Sequence, residues 1–93
     1  MIARRADRLH VSAPMRMSSA RTLLEAGLAQ LEGARTVDLA DVAAADSSGL
    51  AVLIAWQRQA RMRGACLAFV NVPDSLKALA ALYGLDVALG FVP

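Results

Sequence analysis

Apolar and polar residues follow one another along the chain in short segments that switch between the period of a strand and that of a helix. Between residues 8 and 13 every second position is apolar, which predicts a half-buried strand that ends at Pro14. The Ala6-Asp7 pair before it predicts a turn, so that the strand pairs with a short one over residues 1–5. The chain is therefore expected to begin as a β-hairpin.

The remaining segments alternate between helix and strand patterns. The pattern predicts helices from Ser18 or Ser19 to Gly33, from Ser47 to Arg63 and from Pro73 to Gly84, buried strands over 36–40 and 66–70, and an edge strand or loose cap over 87–92. Such alternation predicts an α/β fold, with a four- to five-stranded mixed sheet and about three helices packed on it. The expected core comprises Val37, Leu39, Leu53, Leu67, Phe69 and Leu79.

Length and composition fit one such domain over residues 1–93. The chain has 93 residues, of which 57% are apolar and 19% are charged, so it holds enough apolar surface for a core and is not typical of disorder. The longest apolar run, over 50–56, is far shorter than the roughly 20 residues of a membrane-spanning helix. No apolar block follows the first residues as in a signal peptide. We expect a cytoplasmic domain without a membrane span.

Positive charge is concentrated near the N terminus. Residues 1–21 carry five arginines and one aspartate, whereas the rest of the chain has more acidic than basic residues. Such a segment can contact nucleic acid or anionic lipid, or it can be an edge strand whose arginines oppose aggregation. Because no basic run exceeds two residues and no aromatic residues are interleaved, we favour the edge strand and expect no nucleic-acid partner.

The sequence offers little for catalysis. It has no Gly-rich phosphate loop, and its one histidine, His10, lies at an outward position of the predicted early strand. The one cysteine, Cys66, stands in an apolar run and is expected to be buried and inert. No spacing of histidine, cysteine and carboxylate is typical of a metal site. We therefore expect no enzymatic activity, no metal and no cofactor.

One polar turn, Asp46-Ser47-Ser48-Gly49, interrupts the apolar pattern directly before the second predicted helix. Asp46 or Ser47 can accept hydrogen bonds from the free amides of the first helical turn, which is ordinary capping. The same amides and the helix dipole tolerate added negative charge, so a phosphate on Ser47 would be accommodated there. Plain capping and a switch or docking role both remain open on these grounds.

The order of these segments resembles the STAS domain over about residues 8–90. The resemblance is carried by the strand at 37–39, the run Asp46-Ser47-Ser48-Gly49-Leu50-Ala51-Val52-Leu53, and the later Leu76-x-x-Leu79. The STAS family includes anti-sigma factor antagonists, cytoplasmic tails of sulfate transporters and small subunits of lipid ABC transporters. In the antagonists the Ser or Thr directly after the Asp is the phosphoacceptor, which corresponds to Ser47.

Within the family, the short length, the Asp-Ser-Ser-Gly run and the ending over 79–85 resemble the MlaB branch, the STAS subunits of Mla phospholipid transporters. This resemblance implies a non-catalytic subunit that binds the ATPase of an ABC transporter, on the cytoplasmic side of the inner membrane. The alternative is an anti-sigma factor antagonist that an anti-sigma kinase phosphorylates at Ser47. Residues 13–17 depart from the Gly-Glu-Leu-Asp type of segment found in many members, which argues against kinase binding.

The resemblance places the partner contact at this turn and on the helix after it. Helical spacing puts Val52 and Trp56 on a flank away from the stripe of Leu50 and Leu53. An exposed tryptophan is a typical interface anchor, but Trp56 can also bend into the margin of the core. The expected partner-binding residues are Asp46, Ser47, Ser48, Gly49, Val52 and Trp56.

Overall fold

A four-stranded sheet and three helices make up the part of the chain that the computed structural model describes, residues 2–12, 14–42, 45–86 and 88–92. In chain order the elements are β1 (Ile2–Arg5), β2 (Arg8–Val11), α1 (Met17–Ala29), β3 (Thr36–Asp38), α2 (Ser47–Met62), β4 (Ala68–Val70) and α3 (Asp74–Leu82). The strands lie in the order β1-β2-β3-β4, with β1 antiparallel to β2 and the others parallel. The predicted α/β fold is confirmed. Met1, Ala13 and Val87, which the predicted strands included, lie outside the described residues.

One face of the sheet forms the floor of the hydrophobic core. Leu9, Val37 and Phe69 stand opposite one another on β2, β3 and β4, and all three are fully buried. Their neighbours along each strand are only half-buried, so the helices cover this face alone. Five of the six predicted core residues are buried, and Leu79 packs against the core while remaining partly exposed.

Strand β4 begins two residues later than predicted, because a side chain forms the hydrogen bonds of the backbone groups that precede it. Buried Gln57 of α2 accepts a hydrogen bond from the Leu67 amide at 2.8 Å and donates to the Leu67 carbonyl at 2.8 Å. It also donates to the Leu89 carbonyl at 2.7 Å, which joins α2 to the C-terminal segment. Leu67 is therefore outside the strand, and Cys66 before it is exposed, so the prediction that Cys66 is buried was wrong.

Strand β3 ends early for a related reason. The Asp38 carboxylate accepts hydrogen bonds from the Ala40 amide at 2.9 Å and from the Asn71 side chain at 3.1 Å, which turns the chain away from the sheet. Half-exposed His10 and Arg8 lie 3.7 Å and 3.5 Å from the same carboxylate. Burial alone would raise the pKa of Asp38, but these hydrogen bonds and charges outweigh it and lower that pKa.

The C-terminal segment caps the edge of the sheet without adding a strand to it. Phe91 pairs with Phe69 through a single parallel bridge, and their rings meet edge to face at 5.9 Å. Leu89 beside it is buried in the core. Of the two predicted alternatives for this segment, the loose cap describes residues 88–92.

Candidate docking site

The Asp46 carboxylate caps two helices at once. One carboxylate oxygen accepts a hydrogen bond from the Ser48 amide of α2 at 2.8 Å, and the other accepts one from the Met17 amide of α1 at 3.1 Å. The Asp46 amide donates to the Met15 carbonyl at 3.0 Å, which fixes the turn against the segment before α1. Asp46, rather than Ser47, is therefore the capping residue, and it holds the N termini of both helices together.

This arrangement also explains why α1 begins earlier than the serines predicted. Since Asp46 satisfies the amide of Met17, the helix starts at that residue, with Arg16 at its N-cap position. Ser19, one of the two predicted N-caps, lies inside the first turn instead. Its hydroxyl accepts a hydrogen bond from the Arg16 amide at 3.2 Å. The cap comes from a residue that is distant in sequence.

The electrostatics of the turn favour negative charge. Desolvation alone would raise the pKa of Asp46, but hydrogen bonds from the amides of Met17, Ser48 and Gly49 outweigh it, so this pKa lies below its ordinary value. The positive ends of two helix dipoles meet at the same carboxylate. The carboxylate is therefore held in its charged form.

Ser47 and Ser48 follow this cap on the surface. Ser47 is exposed at the first position of α2, and no hydrogen bond joins its hydroxyl to another described residue. Ser48 is half-buried beside it. Gly49 is buried against the segment before α1. A Cβ atom at this position would lie 2.8 Å from the Met15 carbonyl oxygen, so the two backbones approach too closely for a side chain. The structure thus presents one exposed serine on a turn that Asp46 joins to two helices.

Trp56 and Val52 of α2 are buried. Trp56 is fully buried, which is the core position among its two expected alternatives, and Val52 is 3% exposed, so the expectation that Val52 lies on an exposed flank was wrong. The indole packs against Gly27 of α1, where a Cβ would lie only 2.3 Å from the ring, and its Nε1 donates to the Leu24 carbonyl at 3.2 Å. Because α1 and α3 both pack on α2, this helix is buried on more than one side.

One large apolar side chain beside the Asp46 turn is exposed, that of Met17, which the sequence pattern did not indicate. Its side chain is 80% exposed at the start of α1, next to the Asp46 turn. A groove between α1 and α2 starts about one turn further along α1, at Ala20 and Arg21. Its α2 side is formed by Ser48, Ala51 and the buried Val52. We refer to Met17, Ser47, Ser48 and Ala51 as the docking surface. Methionine side chains are flexible and polarizable and are frequent at protein-binding surfaces that adapt to their partners.

The described residues contain neither a cluster of metal ligands nor a helix that could span a membrane. Nowhere between residues 2 and 92, outside the gaps at 13, 43–44 and 87, do three metal-ligating side chains come together. Over the same residues, each helix is too short or too polar to cross a bilayer.

The fold is that of a STAS domain. A Thermotoga maritima protein assigned to the anti-sigma factor antagonists superposes with a TM-score of 0.80, at 16% identity, over 98% of this chain and 83% of the other. A sulfate transporter family protein from Wolinella succinogenes matches with a TM-score of 0.67, at 22% identity, over 91% of this chain and 75% of the other. Comparison with curated protein sequences gives no match.

The sequence narrows this class further. The family profile described as "Mlab, STAS domain" matches residues 2–93. The chain therefore belongs to the MlaB-type STAS family, whose members are generally non-catalytic binding domains. The predicted resemblance is confirmed at this level.

Proposed function

We propose that this chain is an accessory subunit that binds the cytoplasmic ATPase of a phospholipid ABC transporter and takes no part in catalysis. Membership of the MlaB-type family supports this assignment. The observation that carries it is the exposed Ser47 on a support that Asp46 fixes to two helices. Through the ATPase, the subunit would lie at the cytoplasmic side of the inner membrane.

The docking surface suits a contact of this kind. Met17 offers a flexible apolar side chain, and the small side chains of Ser47 and Ala51 allow a partner backbone to approach closely. The surface lies on the first turns of two helices that share one cap, so few backbone segments need to become ordered when a partner binds. Preorganisation of this kind lowers the entropic cost of association.

Co-purification of the chain with the ATPase of a lipid transporter from the same genome tests the proposal. The wild-type chain is expected to form a stable complex, and Met17→Asp is expected to abolish it, since the added charge must be desolvated in the interface. Leu82→Asp is the matched control, because this leucine is 76% exposed but lies at the C-terminal end of α3, outside the docking surface. Loss of the complex in the control alone, or in neither variant, would refute the docking surface.

An anti-sigma factor antagonist is the second candidate, and the exposed hydroxyl of Ser47 at a helix N terminus favours it. A phosphate there would lie near the amides of the first turn of α2, although the Ser48 amide of that turn already donates to Asp46. Incubation with a serine kinase of the anti-sigma type and ATP distinguishes the two. Phosphate transfer to Ser47 that Ser47→Ala abolishes would support the antagonist; its absence, with ATPase binding retained, supports the transporter subunit.

A further inference from the structure

A second surface lies along the second half of α2, between the outer stripe of this helix and the turn over 85–89. Ile54 of α2 and Leu85 of the turn are half-buried and line an open groove, with buried Leu89 beneath them. The sixteen residues of α2 place the far end of this groove roughly 22 Å from Ser47, at 1.5 Å per residue. Its near end, at Ile54, lies one helical turn from Ala51, so the groove adjoins the docking surface and extends away from it along α2.

The outer stripe of α2 combines apolar and basic residues. Ile54, Arg58, Arg61 and Met62 follow one another at helical spacing, so they share one face, and all four line the groove. Met62 is 75% exposed although it is one of the larger apolar side chains. Its flexible side chain adds apolar area to the rim of the groove and can adapt to the shape of a partner.

The two charged side chains that line this groove, Arg58 and Arg61, are both basic, and Asp86 is the one acidic residue in the turn beside it. From Ser47 to Pro73 the sequence contains three arginines, Arg58, Arg61 and Arg63, and no acidic residue. The Arg61 guanidinium donates to the Ala88 carbonyl, which holds it at the rim of the groove. This partner is a neutral carbonyl, so the hydrogen bond does not neutralise the charge of Arg61. Among the described residues, the ion pairs that form involve other arginines, on β2 and α1.

We propose that this basic groove binds an acidic amphipathic helix of a partner protein. The apolar stripe of such a helix would fill the space between Ile54 and Leu85 and cover Met62, while its carboxylates would pair with Arg58 and Arg61. The concave shape favours a helix over the flat surface of an anionic membrane. This inference goes beyond the proposed function, and it does not depend on Ser47.

A titration of the ¹⁵N-labelled full chain with synthetic helical peptides tests the proposal. The probe is a peptide of roughly 16 residues with leucines at helical spacing and glutamates on both flanks; its counterpart carries lysine at every glutamate. The acidic peptide is expected to shift the amide resonances of the second half of α2 and of 85–92. Arg58→Glu should weaken binding at least about tenfold.

Arg5→Glu is the matched control, since it makes the same charge change on β1 at the far edge of the sheet and should weaken binding less than about threefold. Thermal melts of both variants, and of Arg58→Gln, separate lost binding from lost folding. The proposal is overturned if the lysine peptide binds equally well, or if Arg58→Glu behaves like Arg5→Glu. It is also overturned if the chain binds phosphatidylglycerol vesicles in an Arg58-dependent manner and ignores the peptide.

Discussion

Single residues that join distant segments decide how the candidate site is built. Asp46 is the clearest case, because its two carboxylate oxygens each satisfy the amide of a different helix. A capping aspartate ordinarily serves one helix. Here the loss of one carboxylate would release both α1 and the turn that carries Ser47.

Acid should therefore weaken the fold through Asp46. Its pKa is lower in the folded chain than in the unfolded one, so its contribution is complete above pH about 5 and is lost as the pH falls below about 4. An asparagine side chain at this position has one carbonyl oxygen in place of the two carboxylate oxygens, so it can keep only one of the two caps. Asp46→Asn should therefore lower the melting temperature at pH 7 and flatten its decline in acid.

Melting curves between pH 3 and 7 measure this effect. Asp38 contributes an acid dependence of the same sign, so the variant should retain part of the decline. Asp41→Asn, which removes an exposed carboxylate in the turn after β3, serves as the control. An Asp46→Asn curve parallel to that of wild type at every pH would contradict the double cap.

At the scale of elements, helix α2 is held between α1 and the C-terminal part of the chain. Its bounds were predictable, because Asp46 before it and Gly64 after it, with φ of +76°, are ordinary signals of a helix start and stop. The sequence did not show that α2 is buried on more than one face. The periodicity of α2 gives one stripe for one neighbour, but the packing of α1 against Trp56 depends on Gly27, about thirty residues earlier in the chain.

Gly27→Ala gives a sharp test of this packing. In an exposed helix the change would stabilise by about 1 kcal/mol, because alanine is the better helix former. Here the new Cβ would overlap the Trp56 indole, so we expect a loss of about 1–3 kcal/mol. Denaturant unfolding measures the sign directly. The double variant with Trp56→Phe should recover part of the loss, whereas a stabilised Gly27→Ala protein would mean that the indole lies elsewhere.

Gln57 fixes the other side of α2. Replacement by leucine would leave the Leu67 amide and the carbonyls of Leu67 and Leu89 without their buried partner. The expected loss is at least about 2 kcal/mol, since each unsatisfied group costs about 1–3 kcal/mol. Gln59→Leu on the same helix, half-buried and free of these bonds, should change stability much less. Hydrogen exchange should show faster exchange at the Leu67 amide in Gln57→Leu; unchanged protection there would contradict this role.

For the whole molecule, the sequence carried the alternation of strands and helices, the family and the location of the polar turn. It did not reveal which long-range contacts modify them. Residues 17 and 46 meet only in the folded chain, so neither the start of α1 nor the position of Met17 beside the Asp46 turn followed from local pattern. In the same way, Cys66 was expected inside a strand that Gln57 in fact shortens.

The central claim is that the exposed face around Ser47 binds the transporter ATPase, and calorimetric titration of the purified ATPase with Ser47 variants tests it most directly. Asp46 supplies the cap, so Ser47→Ala should change stability by less than about 0.5 kcal/mol and leave affinity nearly unchanged. Ser47→Glu should still fold, as a thermal melt would show, but it should bind at least about tenfold more weakly, because the interface must desolvate a new charge beside Asp46. Equal affinity of Ser47→Glu and wild type would contradict the account.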